Sequence, residues 1–362
     1  MDISTNPTWH EAERRLEAFW RREFLDRPCL LVRAPKAQHS SQSSSLPADV
    51  RETGDPEARG AAEEAERVFR SQRARYFGTS FLGEALPVLY YGWEGIAEML
   101  GARVEDSSGI LWVRPFAQKL GDVDLSRLDL EGPVVARMLA VVKRMAALGA
   151  GECFVGHPMH LGNPGDTLAK LRGYEGLCLD LHDDLAGVLE LEGGLARVWN
   201  ALYDRVFDAV NAHLQGSCGW LPCWHPRRSA LIEFDFCGMI CPSHFERFIP
   251  VLLQRARHVE HSIYHLDGAV ALPHLEAILG IEEVGAIQAQ PGDAVSDPLE
   301  WLPVYQRIQG ADRSLYVGFE CSPTEALRLL DELDPAGLAI PVRAASEEEG
   351  VRFLDAVERK YR

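Results

Sequence analysis

The sequence predicts an α/β fold of the (β/α)8 TIM-barrel class, with an N-terminal helical extension and an inserted lobe near the barrel mouth. Three observations lead there. Apolar runs of strand length alternate with helical stretches from residue 133 to the end, and such units imply a parallel sheet whose right-handed crossovers lay every helix on the outside. The chain has 362 residues, 46% of them apolar, enough for one large core and within the range of single barrel domains. No Gly-x-Gly-x-x-Gly follows the first strand, and no Walker-type phosphate loop occurs, so an open doubly wound sheet with a nucleotide cofactor is the weaker reading. One domain over residues 1–362 is expected, with 36–75 a loop and helix insertion.

The elements follow in order. Leu16, Phe19, Trp20 and Phe24 share one helical face in the segment Trp9 to Leu25, and Arg27-Pro28 ends it before the strand Cys29 to Val32. His39 to Pro56 is Ser-rich and polar, which predicts an exposed loop, and Glu57 to Phe69 reads as helix. Two aromatic-rich runs, Pro87 to Gly92 and Gly109 to Pro115, flank a helical stretch from Glu94 to Leu100 and form the expected lobe. The regular part predicts strands at Glu152 to Gly156, Cys218 to Cys223, Ser262 to Leu266, Glu283 to Ala289, Ser314 to Glu320 and Gly337 to Val342, with helices between them.

Composition narrows the function. With 54 acidic against 37 basic residues the formal charge is −17, which repels a polyanion and excludes nucleic acid as the expected partner. No stretch approaches the roughly 20 apolar residues of a membrane span, and the opening Met1 to Trp9 is polar, so a cytoplasmic protein acting on a small molecule is expected. Eight cysteines in so long a chain do not make a disulfide scaffold, and reduced thiols are expected.

In barrels of this class, chemistry sits at the carboxyl ends of the strands. His265 and Asp267 end one predicted strand and alternate so that both point to the interior; either they ligate or move protons, or they form a hydrogen-bonded pair that closes the barrel end. Cys321 and Glu320 end the next strand but one, so His265, Asp267 and Cys321 make a candidate zinc set with an open position. A buried, unligated Cys321 is the alternative. Asp235 lies in an apolar neighbourhood, where a carboxylate needs a partner or a substrate; a helix cap or a salt bridge to Arg227 or Arg228 is an equal reading. His265, Asp267 and Asp235 are the candidate catalytic residues. His160, Cys223, His225, Cys237, Gln288, Glu320 and the lobe residue Tyr91 are candidates for substrate contact, while Asp166 and Arg172 are expected to cap and pin a helix.

Several segments resemble the uroporphyrinogen decarboxylase-like superfamily, especially its corrinoid-related methyltransferase-like branch. They are Gly165-Asp166-Thr167-Leu168 with Leu171-Arg172-Gly173, Phe234-Asp235-Phe236-Cys237 through Met239-Ile240-Cys241-Pro242 and Phe245, and Tyr264-His265-Leu266-Asp267-Gly268. The opening Trp20 with Glu23-Phe24-Leu25-Asp26-Arg27-Pro28 is similar to that branch as well. The resemblance implies a barrel enzyme that transfers a methyl or alkyl group, with a zinc at the mouth and a thiol or a corrinoid-bound methyl group as second substrate. It also implies a corrinoid protein as a partner. The chain departs from the family in carrying Asp267 where the first zinc thiol stands, in having no thiol in Arg343-Ala344-Ala345, and in lacking the Arg-rich opening of the true decarboxylases. Cofactor-free decarboxylation of a small carboxylated substrate, and a non-catalytic barrel that binds a corrinoid or metabolite, are the alternatives.

Overall fold

A computed structural model describes residues 7–36, 56–107, 110–158, 163, 165–213, 216–292 and 294–362. Its strands are β1 (Cys29–Pro35), β2 (Thr79–Gly83), β3 (Val88–Leu89), β4 (Arg103–Ser107), β5 (Ile110–Arg114), β6 (Phe154–Val155), β7 (Ser229–Ile232), β8 (His261–Asp267), β9 (Ala286–Gln290), β10 (Ser314–Val317) and β11 (Leu338–Arg343). Seven of them form one sheet in the order β2-β1-β11-β10-β9-β8-β7. Every neighbour in it is parallel except β2, which turns back antiparallel on β1. Helices follow β7 through β11 in turn, the βαβ pattern that the alternating sequence predicts.

The expected closed barrel of eight strands is not formed. Among the described residues the ladder is open, β3 and β6 pair only with each other, and β4 and β5 make a separate antiparallel hairpin in the lobe. The predicted strand Cys218 to Cys223 accounts for the break: it carries Gly219 and Pro222, takes no regular ladder, and touches its neighbours by single bonds, such as the His157 amide to the Cys218 carbonyl at 2.8 Å. Gly156 permits that approach, since a Cβ there would lie 2.7 Å from the Gly219 carbonyl oxygen. The strand that sequence reading missed is β7, Ser229–Ile232, which begins just beyond that run. The first helix is Pro7–Trp20, shorter than expected, and the second, Pro56–Phe77, is longer. The predicted loop His39 to Pro56 falls almost wholly outside the described residues.

Two cores flank the sheet. Alternate strand residues such as Leu31, Ile263, Ala286, Tyr316 and Ala339 join Val88 of β3, Phe154 of β6 and Cys218 in one inner cluster. The opposite faces, with Leu30, Tyr264, Leu266, Ile287 and Val317, pack on the helices. This is the period-two alternation of a sheet buried on both sides. Leu16, Phe19 and Trp20 of the first helix plug the inner cluster. The Trp20 ring lies 5.6 Å from that of His261, the first residue of β8, so this end is closed. The far end of β8, at His265 and Asp267, opens to solvent.

Candidate functional site

His265 and Asp267 share the inner face of β8 with Ile263, two residues apart on each step. Asp235 reaches them from a short 3-10 turn, Asp235–Met239, that follows β7. His265 Nε2 lies 4.0 Å from Asp235 Oδ1 and 3.9 Å from Asp267 Oδ1, with side chains 10, 53 and 48% exposed respectively. One ligand atom from each lies within 4.8 Å of the other two.

The surroundings fix both partners of this triad. Gln288 stands opposite His265 in register on β9, and its Oε1 accepts from His265 Nδ1. The same amide donates through Nε2 to Gln290 Oε1 at 3.3 Å, which sets its orientation. With the proton on Nδ1, the Nε2 lone pair faces the two aspartates, as a ligating imidazole requires. Asp166, first residue of the helix Asp166–Arg172, accepts from the amides of Asp235 at 3.2 Å and Phe236 at 2.7 Å. Thus it pins the turn that presents Asp235. Asp235 sits high in the mouth, yet desolvation raises its carboxyl above the usual range, with Asp267 adding repulsion and His265 opposing.

One imidazole nitrogen and two carboxylate oxygens fit a divalent cation of intermediate hardness. Bonds of about 2.1 Å at a tetrahedral angle bring ligand atoms to roughly 3.4 Å of each other, so the gaps of 3.9 and 4.0 Å close with a small side-chain rotation. Three protein ligands leave a coordination position free.

Sequence reading missed Glu233. It is buried at the end of β7, where Trp220 Nε1 and Asn163 Nδ2 donate to its two carboxylate oxygens. Burial pushes its carboxyl up, against the pull of nearby His265. Trp220 sets its ring edge-on to His265, 5.4 Å between centroids and 86° between planes. The available signal was the alternation Leu231, Glu233, Asp235, read once β7 is placed at Ser229–Ile232.

The other candidates lie elsewhere. Cys321 is not with the triad: its Sγ faces the helix-side core, bonded to the Phe319 carbonyl at 3.6 Å, and burial pushes its thiol up to about 12. The backbone bridge of Cys321 to Val342 turns the side chain outward, and Asp235 completes the donor set instead. Glu320 stays on the mouth side but is taken by Arg33 and, at 2.7 Å, Arg343 Nε. His225 lies at the closed end against His261, 4.1 Å between rings, and Cys223 is in the inner core. Burial holds His225 down at about 3 and raises the Cys223 thiol. Cys237 is buried against the helices, and burial lifts its thiol to about 12. Tyr91 donates to Glu64 of the second helix at 2.8 Å. His160 lies outside the described residues.

A methyltransferase from Methanosarcina mazei has a similar structure, with a TM-score of 0.59 and 12% identity over 97% of this chain and 98% of that one. The likeness is one of fold. No protein-family model matches the chain, and no curated protein matches it. Among the described residues, no helix is long and apolar enough to cross a membrane.

Proposed function

We propose that the chain is an enzyme transferring a methyl or alkyl group to a small molecule, a divergent relative of the uroporphyrinogen decarboxylase-like superfamily with a divalent cation, zinc by preference, held by Asp235, His265 and Asp267. The carrying observation is the cluster of one imidazole and two carboxylates at the open end of β8. A similar structure that is a methyltransferase over nearly its whole length supports the reading.

When bound, the cation supplies Lewis acidity that holds a substrate thiol as thiolate near neutral pH. The protein's part is geometric and electrostatic. Gln288 keeps the proton on His265 Nδ1 and leaves Nε2 for ligation. The two carboxylates of Asp235 and Asp267 would balance the charge of a dication held there with His265. Trp220 covers one edge of His265 against water. The thiol proton passes to solvent at the open mouth and the sulfur attacks the methyl carbon; the S–CH3 bond forms as the carrier–CH3 bond breaks, and that electron pair stays on the carrier. Half-exposed Asp235 and Asp267 leave the mouth open to a large carrier, for which a corrinoid on a partner protein is the proposed candidate. Eight unpaired thiols suit a cytoplasmic setting.

The test is metal analysis of protein purified without chelator or immobilised-metal resin, with an assay of labelled methyl transfer from methylcobalamin to 2-mercaptoethanol. One equivalent of metal and turnover, both lost in His265→Ala, are expected. Metal-free wild-type protein, or a His265→Ala variant that transfers at the wild-type rate, overturns the reading.

A further inference from the structure

Next to the triad, and sharing Trp220 with its surroundings, lies a cavity of about 40 Å³ lined by residues that include His157, Asn163, Trp199, Tyr203, Trp220 and Glu233. At 10–15 Å³ for each water-sized group, it holds about three heavy atoms. Its polar groups are unbalanced. Glu233 receives only the neutral donors of Trp220 and Asn163 among the described residues, which leaves two of the roughly four acceptor sites of a carboxylate open. No lysine or arginine among those residues pairs with it. His157 Nδ1 faces the Cys218 carbonyl at 3.2 Å, so that nitrogen carries the ring proton and Nε2 is a second acceptor. This buried Nε2 has no hydrogen-bond partner among the described residues. The walls are aromatic, with His157 stacked on Tyr203 at 4.3 Å and 5°, and Tyr203 stacked on Trp199 at 5.1 Å and 24°.

A buried carboxylate whose hydrogen-bond donors among the described residues are both neutral, a spare imidazole acceptor and aromatic faces suit a ligand that is positively charged and rich in N–H donors. We propose that this cavity is a subsite for a primary ammonium group of two or three heavy atoms, which places the rest of an amine-bearing substrate toward His265. The inference deepens the proposed function by naming its substrate class, and rests on that reading for the chemistry only; the binding stands or falls separately. A sulfhydryl amine anchored in this way has its ammonium at Glu233 and its sulfur directed toward His265.

Binding of ethylammonium chloride is the direct test, followed by ligand-observed NMR on the full chain at fixed ionic strength, with ethanol as the uncharged control. We expect saturable ethylammonium binding, unchanged by EDTA and retained in Asp267→Asn, but at least tenfold weaker in Glu233→Gln. In wild-type protein labelled with ¹⁵N-tryptophan, ethylammonium shifts the Trp220 indole resonance, assigned from Trp220→Phe, so the outcome does not depend on the folding of Glu233→Gln. Equal affinity for ethanol, undiminished binding in Glu233→Gln, loss in Asp267→Asn alone, or an unmoved Trp220 signal overturns the subsite. Saturable binding at Glu233 without methyl transfer upholds the subsite and removes the proposed function; transfer without ethylammonium binding does the reverse.

Discussion

Asp166 holds Asp235 in place across 69 positions of sequence: its Oδ2 accepts from the Asp235 amide at 3.2 Å, while Oδ1 accepts from Phe236 at 2.7 Å. The helix that begins with Asp166 is itself set by Gly165, whose φ of +66° and whose missing Cβ, which would lie 2.3 Å from the Phe234 ring, leave no other residue comfortable there. One buried carboxylate therefore decides where the most exposed member of the triad stands.

Removing it should loosen the triad without touching a ligand. Asp166→Ala leaves two backbone donors unsatisfied, at about 1–3 kcal/mol of stability, and lowers divalent-cation affinity by roughly 10–100-fold, as loss of an outer orienting group does. Calorimetric titration with zinc on folded variant protein checks this; wild-type affinity would show that the turn positions Asp235 unaided.

Cys321 gives the opposite expectation. Cys321→Ala should bind the same metal equivalent as the wild type, because the thiol faces the helix-side core. The small cavity it leaves should cost about 1 kcal/mol. Metal content and denaturant midpoints on one preparation settle both halves.

At the closed end, Glu84 is fully buried and accepts from Arg27 at 2.6 and 2.9 Å, Arg15 at 3.2 Å and the Leu30 amide at 2.8 Å. Glu84→Gln takes its carboxylate partner from buried Arg27, while Arg15 keeps its pair with Asp26 at 2.7 and 2.8 Å, and should cost about 3–5 kcal/mol, the usual penalty for breaking a buried ion pair from one side. Urea denaturation measures it, and a loss below 1 kcal/mol would mean that water reaches the arginines.

Acid sensitivity should trace in part to His157. Burial holds its imidazole down at about 4, from an ordinary 6.5. A depressed folded value means that the unfolded chain takes up the proton first, so stability is fully present above pH 6.5 and drains away as the pH falls toward 4. The shift is worth at most about 3 kcal/mol. His157→Phe, which keeps a flat ring on Tyr203, should be less stable than wild type at pH 7.5 and close that gap by pH 4.5. Parallel profiles in urea at several pH values would instead place the titration in other buried histidines, such as His225.

Much of the frame was legible in the sequence because local pattern carries it. The apolar run of Ser262 to Leu266 and the helical stretches that alternate with such runs mark strand and helix whatever surrounds them. The pairing of His265 with Asp267 was legible for the same reason, since two residues apart on a strand fixes a shared face. By itself the sequence determined a βαβ order, an acidic chain, and a strand-end His and Asp.

What it left open was long-range. Asp235 rather than Cys321 joins His265 because the backbone bridge of Cys321 to Val342 turns its thiol to the helix side, while the hold of Asp166 turns Asp235 inward. Glu233, flanked by apolar residues, reads as an anomaly until Trp220 and Asn163 supply its hydrogen bonds. The Cys218 run, apolar enough for a strand, was kept out of the ladder by Gly219 and Pro222, and β7 took the place beside β8. Side-chain facing and partner choice depend on which segments the whole core can pack together, and only the tertiary structure decided them, because no local period encodes a contact between residues 70 positions apart.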